Sequence, residues 1–131
     1  MTGIDANVLT RYIMQDDRQQ FMAASAFLGS LTLESPGFVG LVTVAEICWV
    51  LMRRYRLTRS QFSSAMERLL NSTLLQFENQ NLVAEALLLF DKTNADFADC
   101  LVSLSARAAG CDGVVTFDIL SSKVLAMTLL K

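Results

Sequence analysis

The stretch MTGIDANVL, residues 1–9, decides the fold. Apolar and small residues lead up to Asp5, and Asn7 with a further apolar run follows it. This pattern predicts a short strand that ends on a carboxylate and continues through a loop into a helix. In open α/β sheets, ligand sites form outside the carboxyl ends of the strands. Asp5 is therefore the reference point for the acidic residues that come later in the chain.

The rest of the chain alternates predicted strands and helices, which is typical of a mostly parallel sheet with helices on both faces. Further strands are predicted at residues 38–42, 74–77, 113–117 and 127–130. Helices are predicted at residues 8–14, 19–33, 43–55, 58–70, 79–90, 96–109 and 121–125. Because no repeat, linker or low-complexity segment interrupts the 131 residues, we expect one domain over residues 1–131.

The amino-acid composition restricts the chemistry available to a site. The chain contains no histidine, which excludes histidine metal ligands, histidine general bases and Ser-His-Asp triads. Its three cysteines, Cys48, Cys100 and Cys111, are widely spaced in apolar surroundings. We expect them to be small buried residues in a reducing compartment. Site chemistry must therefore come from carboxylates, hydroxyls or a cysteine.

The balance of apolar and charged residues indicates the kind of partner. The apolar fraction is 53% and the mean hydropathy is +0.40, so we expect a large core or an apolar surface that a partner covers. The net charge is −2, without the basic run typical of nonspecific nucleic-acid binding. No apolar run approaches the roughly 20 residues of a membrane span. We therefore expect a cytoplasmic protein.

Five acids are predicted to lie at one edge of the parallel sheet. Asp5 and Asp118 end strands, whereas Glu46, Asp96 and Asp99 lie near the starts of helices. Carboxylates packed this closely repel one another, so the cluster needs a cation. Oxygen ligands without imidazole or thiolate favour Mg²⁺ or Mn²⁺. Because such ions activate water and stabilise charge on a phosphodiester, the cluster predicts phosphodiester hydrolysis.

Two features also have a purely structural interpretation. Thr43 and Glu46 have the spacing of a capping box, in which Glu46 would serve only the helix start. Four arginines lie within seven residues, and they are either a solvated helix end or contacts to phosphates or an acidic partner: Arg53, Arg54, Arg56 and Arg59. The sequence leaves both alternatives open.

Four runs of sequence resemble a known family in order and spacing. They are IDANVL at residues 4–9, VTVAEICWVL at 42–51, ADFADCL at 95–101 and AGCDGVVTFD at 109–118. Together they resemble the PIN domain and, more narrowly, the VapC-type ribonuclease toxins of bacterial type II toxin–antitoxin systems. The resemblance covers essentially the whole chain. It implies a three-layer α/β/α fold with a central, mostly parallel sheet.

The resemblance also implies a role for each matching residue. In the family, four acids hold Mg²⁺ or Mn²⁺ for RNA cleavage, and these match Asp5, Glu46, Asp99 and Asp118. An accessory metal-binding acid matches Asp96, and polar residues that support the acids through hydrogen bonds match Asn7 and Thr116. Relatives often carry Thr or Ser where this chain has Ala6. They also carry a basic stretch where this chain has residues 119–127, with Lys123 as its one basic residue.

Partners are implied by the same resemblance. Relatives form homodimers and are neutralised by a small antitoxin whose C-terminal segment lies across the acidic pocket. An apolar groove would suit such a segment, and candidates for that groove or for the core are Met14, Phe21, Trp49, Met52 and Tyr55. The RNA that is cleaved is not indicated by the four acids.

Two other functions compete with a nuclease toxin. A PIN fold could process or bind RNA without any toxin role. A Mg²⁺-binding phospho-receiver module also places acids at a parallel sheet edge, but it needs adjacent acids after the first strand and an acid after a central strand. The first strand here ends on the single acid Asp5, and residues 38–42 end without an acid, which disfavours a receiver module.

Overall fold

A computed structural model describes all of residues 1–131. The chain divides into two compact units, Met1–Gln80 and Asn81–Lys131. Every pair of hydrogen-bonded strands is parallel, as the alternation of strands and helices predicted. None of the helices combines the length and apolar character that crossing a bilayer would require.

The first unit contains a three-stranded parallel sheet in the order β1-β2-β3. The strands are β1 (Thr2–Gly3), β2 (Gly37–Val39) and β3 (Leu75–Phe77). Register pairs Gly3 with Phe38 and Phe38 with Gln76. Parallel neighbours need crossover connections, and here helices supply them.

The helices of this unit follow the strands closely. They are α1 (Ala6–Met14), α2 (Arg18–Gly29), α3 (Leu41–Trp49) and α4 (Arg59–Leu70), and a π-helix over Val50–Arg54 extends α3. α1 contacts both α2 and α3. The core consists of fully buried side chains from the strand and helix faces, among them Leu9, Val39, Val44, Ile47, Leu51, Phe62 and Met66.

The second unit pairs β4 (Val115–Thr116) with β5 (Thr128–Leu129) in parallel. Its helices are α6 (Phe97–Ala108) and α7 (Ile119–Val124), preceded by α5, which spans Gln80–Lys92. Phe90 and Phe97 pack edge to face with ring centroids 5.9 Å apart, a favoured aromatic geometry. The rest of this core comes mainly from Val83, Ala86, Cys100 and Leu104.

Several boundaries differ from the sequence prediction. β2 ends at Val39, and α3 begins at Leu41 with Gly40 as its N-cap. The apolar run that predicted a strand to residue 42 therefore enters a helix, because a short apolar run fits either structure. Helix α2 ends at Gly29, and the predicted strand 113–117 is paired only at Val115–Thr116.

The cysteine prediction is correct for two residues and wrong for the third. Cys48 and Cys100 are buried, whereas Cys111 is exposed. Cys111 follows Gly110, whose φ of +90° turns the chain away from the axis of α6. A residue in such a turn lies at the surface whatever its side chain.

Candidate acidic active site

Asp5 lies at the junction of β1 and α1, as predicted. It is the N-cap of α1, and its Oδ1 accepts a hydrogen bond from the Ala6 backbone N–H at 2.9 Å. The flanking residues Ile4 and Ala6 are buried, and the Ile4 N–H donates to the Phe38 carbonyl at 2.9 Å. The carboxylate itself is exposed. Buried neighbours therefore fix the backbone while the acid faces solvent.

A cavity of about 480 Å³ lies beside Asp5 between α1 and α2. Polar groups from Asp5, Asn7 and Arg11 share its wall with apolar side chains such as Val8 and Phe27. The Asn7 backbone carbonyl accepts a hydrogen bond from the Thr10 hydroxyl at 3.3 Å, whereas the Asn7 side chain is exposed and takes no part in that bond. A role for Asn7 in supporting the acids stays a prediction.

Glu46 is not a capping residue. It is the sixth residue of α3, and no side chain of Leu41–Trp49 caps the helix start. The carboxylate of Glu78 takes that position instead and accepts a hydrogen bond from the Leu41 N–H at 3.0 Å. The predicted capping box of Thr43 and Glu46 is therefore wrong. Glu46 is exposed on a helix whose opposite face is buried through Val44 and Ile47, so its carboxylate is available for chemistry.

Three acids of the second unit, Asp96, Asp99 and Asp118, interact through their charges. Asp96 is the N-cap of α6 and accepts a hydrogen bond from the Ala98 N–H at 2.7 Å. Asp99 lies in the first turn of the same helix. Burial raises the pKa of Asp99, and the neighbouring charges of Asp96 and Asp118 raise it further, while the Ser121 hydroxyl acts in the opposite direction. Like charges near Asp99 disfavour its ionised form, and a metal-binding role for these acids stays a prediction.

Ser121 connects two of these acids and was missed in the sequence. Its side chain is only 2% exposed, and its hydroxyl donates to Asp99 Oδ2 at 3.1 Å. Its backbone N–H donates to Asp118 Oδ1 at 2.9 Å, which makes Asp118 the N-cap of α7. The spacing Asp118-x-x-Ser121 is the N-cap to N3 spacing, and it could have indicated the backbone contact.

Thr116 also supports Asp118 in the structure. Its Oγ1 accepts a hydrogen bond from the Asp118 backbone N–H at 3.0 Å. The turn between β4 and α7 is therefore held on both sides of the acid, by Thr116 before it and Ser121 after it. The carboxylate of Asp118 is exposed.

The donor set fits a hard divalent cation. None of Asp5, Glu46, Asp96, Asp99 and Asp118 forms an ion pair with a basic side chain, so nothing in the chain neutralises them. The available donors are all carboxylate and hydroxyl oxygens, which Mg²⁺ and Mn²⁺ prefer. No group of three or more acidic or thiol side chains has the arrangement of a preformed metal site.

Comparison with known proteins identifies the class to which this fold and these acids belong. The PIN domain family matches residues 4–124, which include all five acids. The chain belongs to the PIN domain family, and the α/β fold predicted for it is confirmed.

A narrower likeness agrees with the motifs in the sequence. The chain is 31% identical over 80 residues to the VapC ribonuclease of Aquifex aeolicus (strain VF5). The aligned part is 61% of this chain and 59% of that relative, so it spans about three fifths of the relative's length. The resemblance to VapC-type PIN domains that the four motifs indicated is thereby confirmed.

Proposed function

We propose that this protein is a metal-dependent endoribonuclease that acts as the toxin of a type II toxin–antitoxin pair. Membership of the PIN domain family over residues 4–124 supports a nuclease, and the likeness to a VapC ribonuclease supports the toxin role. The single observation that carries the proposal is this family match, because the matched residues include all five acids, none of which is paired with a basic side chain.

The proposed ligands are the acids that match the family motifs. Asp5, Glu46, Asp99 and Asp118 would hold Mg²⁺ or Mn²⁺, with Asp96 as an accessory ligand. When bound, the metal lowers the pKa of water and stabilises the charge that develops on the phosphodiester. The family match over residues 4–124, which includes these five acids, supports their assignment as ligands.

The chain's own groups have a separate task in this reaction. Ser121 orients the Asp99 carboxylate, and Thr116 with Ser121 fixes the turn that carries Asp118. Asp5 Oδ1 accepts the hydrogen bond of the Ala6 N–H at the start of α1, which leaves Oδ2 for the site. A carboxylate of the set accepts a hydrogen bond from the attacking water and so positions it for in-line displacement.

An antitoxin and a second copy of the chain are the proposed protein partners. Large apolar side chains remain exposed in both units, for example Val42 at 84% and Phe117 at 78%. Exposed apolar side chains of this size favour coverage by a partner. Cytoplasmic location is part of the same proposal, because a toxin must meet cellular RNA.

Cleavage of total cellular RNA tests the proposed function. The purified, antitoxin-free protein is incubated with Mg²⁺, with Mn²⁺ or with EDTA. We expect discrete fragments only with metal, and a loss of at least 100-fold in the folded variants Asp5→Asn and Asp99→Asn. Asp91→Asn is the matched control, because Asp91 is an exposed acid in α5 outside the motifs. Cleavage that is equal in all four proteins would contradict the assignment of the acids.

Expression in a bacterial host separates the toxin from a PIN-type RNA-processing enzyme. Growth arrest that requires Asp99 and is relieved by a co-expressed antitoxin supports the toxin role. Active nuclease without any growth effect would instead favour RNA processing.

A further inference from the structure

Trp49 is the only tryptophan of the chain, and it is unusually exposed. It is the last residue of α3, and 54% of its surface is accessible. Met14, Phe21, Met52 and Tyr55, which the sequence grouped with it, are each only partly exposed. Trp49 follows Glu46 by three residues, and residues three apart on a helix share a face. An exposed indole therefore lies beside an acid of the proposed active site.

Two cations continue this face beyond Trp49. Arg53 and Arg54 lie in the π-helix, in which the Tyr55 N–H donates to the Val50 carbonyl five residues back. A π-helix has more residues per turn than an α-helix. Arg53 and Arg54, four and five residues after Trp49, therefore lie on either side of the line that runs from Trp49 along the helix. Both arginines are exposed and form no ion pair. The wider turn thus places two uncompensated guanidinium groups on the same helix face as Trp49.

We propose that Trp49, Arg53 and Arg54 form a surface that holds single-stranded RNA beside Glu46, with Trp49 stacking on a base. This proposal rests on the nuclease function proposed above. Proteins that bind single strands combine aromatic side chains, on which bases stack, with cations along the phosphate backbone. Arginine suits this task because its planar group binds phosphate with two hydrogen bonds.

The length of the surface fits a short stretch of nucleic acid. Glu46 and Arg53 are seven residues apart, which is about 10 Å at 1.5 Å per residue. A stacked strand advances about 3.4 Å per nucleotide. About three nucleotides can therefore lie along this face.

The charges favour RNA over a second copy of this chain as the occupant. A two-fold interface places the same patch of each subunit against its partner. An interface centred on Trp49 would bury four guanidinium groups, Arg53 and Arg54 of each copy, against only the two Glu46 carboxylates. RNA phosphates neutralise these cations directly. The indole and the guanidinium groups are thus complementary to one nucleic-acid strand.

Tryptophan fluorescence provides a direct test, because Trp49 is the sole indole. The Asp99→Asn variant, which keeps the surface but should not cleave, is titrated with a single-stranded oligoribonucleotide of mixed sequence. We expect saturable quenching of the emission. The dissociation constant is measured in parallel from the anisotropy of labelled RNA. Trp49→Ala should weaken binding by about 10-fold to 100-fold, whereas Trp49→Phe should change it by less than about 5-fold.

Arginine variants test the electrostatic part. Arg53→Gln and Arg54→Gln should each lower the salt dependence of binding by about 0.7, the slope for one phosphate contact on a single strand. Arg107→Gln is the matched control, because Arg107 is an exposed arginine of α6 outside this surface. Leu88→Ala controls for the loss of an exposed apolar side chain, since Leu88 is 58% exposed. Both controls should bind RNA like the parent.

Two results would contradict the proposed RNA-binding surface without contradicting the proposed nuclease function. One is RNA binding and cleavage that are unchanged in Trp49→Ala, with no quenching in the parent. The other is emission that depends on protein concentration without RNA, together with a dimer in sedimentation that Trp49→Ala dissociates at unchanged RNA affinity. The second result would assign the surface to a second copy. A wild-type protein that quenches on RNA but never cleaves it would sink the nuclease proposal instead.

Discussion

At the scale of single residues, the Ser121 hydroxyl has the clearest expected effect. It is buried and donates to the Asp99 carboxylate at 3.1 Å, so it fixes the rotamer of a proposed ligand. Loss of a hydrogen bond that orients a metal ligand typically reduces metal affinity or activity by about 10-fold to 100-fold. We expect Ser121→Ala to weaken Mn²⁺ binding by that factor, as measured by calorimetry or electron paramagnetic resonance.

Ser122 offers a matched control for this prediction. It lies on the same helix, and its hydroxyl donates to the Ile119 carbonyl at 2.6 Å rather than to an acid. Ser122→Ala should keep the Mn²⁺ affinity of the parent, and Ser121→Thr should recover most of it because the hydroxyl is retained. Equal affinity in Ser121→Ala and the parent would show that the contact with Asp99 does not position a ligand.

The raised pKa of Asp99 predicts a dependence of stability on pH in the metal-free protein. Burial and the charges of Asp96 and Asp118 raise the pKa above the ordinary value of 3.8. The folded chain therefore binds the proton more tightly than the unfolded chain, and the ionised carboxylate destabilises the fold as the pH rises from about 3.8 through the folded pKa. At pH values above the folded pKa, the loss of folding stability is constant.

Asp99→Asn removes this charge and tests the sign. In EDTA at pH 7 the variant should unfold at a higher temperature than the parent, and the difference should vanish as the pH falls below 3.8, the ordinary value for Asp. Thermal unfolding followed by circular dichroism across this pH range measures it. A variant that is less stable than the parent at pH 7 would show that the charge is compensated in the folded chain.

The positions and contacts of the site residues could be predicted from the sequence to different degrees. Asp5 and Asp118 follow apolar strand patterns, so their positions at strand-to-helix junctions could be predicted from the sequence. The exposure of Glu46 could not be predicted from the sequence. Its interpretation as a capping residue required α3 to begin after Thr43, whereas α3 begins at Leu41. Ser121 was not predictable as a contact of Asp99, since the two residues are 22 positions apart and no periodic pattern links them.

At the scale of the elements, Gly37 controls how closely β2 approaches the end of β1. A Cβ at Gly37 would collide with Cδ1 of Ile4, and it would lie 3.2 Å from Cδ1 of Leu31. Ile4 directly precedes Asp5. We expect Gly37→Ala to lower the free energy of unfolding by about 1–3 kcal/mol, the usual cost of overpacking a core, and to reduce the proposed nuclease activity because Ile4 shifts. Urea unfolding and the cleavage assay measure the two effects.

A second substitution can relieve this collision. Ile4→Val removes the Cδ1 atom that the new Cβ would meet, so the double variant should be more stable than the sum of the single effects implies. Gly3→Ala is the control within the same sheet, since nothing lies within 4 Å of its Cβ position. Additive effects of Ile4→Val and Gly37→Ala would place the strain elsewhere.

Element boundaries were harder to predict than element types. Every predicted strand and helix has a counterpart in the structure, and Thr58 begins α4 with the predicted cap, completed by Gln61. The start of α3 was missed because Glu78, 37 residues along the chain from Leu41, supplies its cap. A local sequence pattern cannot indicate a capping partner that is so distant in the chain. The π-helix over Val50–Arg54 was missed for a different reason, since its sequence differs little from that of an α-helix.

At the scale of the whole molecule, the prediction of fold class and family depended on the order of the four motifs. The four runs of sequence fall between residues 4 and 118, and the family match extends over residues 4–124. Each run alone is short, but their order and spacing are difficult to obtain by chance. Fold class and family could therefore be predicted from the sequence, whereas the extent of one domain over residues 1–131 stays a prediction beside the two compact units.

Metal-linked stability is the prediction that involves the molecule as a whole. A ligand that binds only the folded chain stabilises it by about 2.7 kcal/mol at 100 times its dissociation constant, so saturating Mn²⁺ should raise the unfolding temperature of the wild-type protein. If Asp5 and Asp99 hold the same ion, Asp5→Asn and Asp99→Asn should each abolish most of this increase, and the double variant should lose no more than either single variant. Asp91→Asn should retain the full increase. Additive, partial losses measured by calorimetry would instead mean that the two acids bind separate ions, because only ligands of one ion lose its binding energy together.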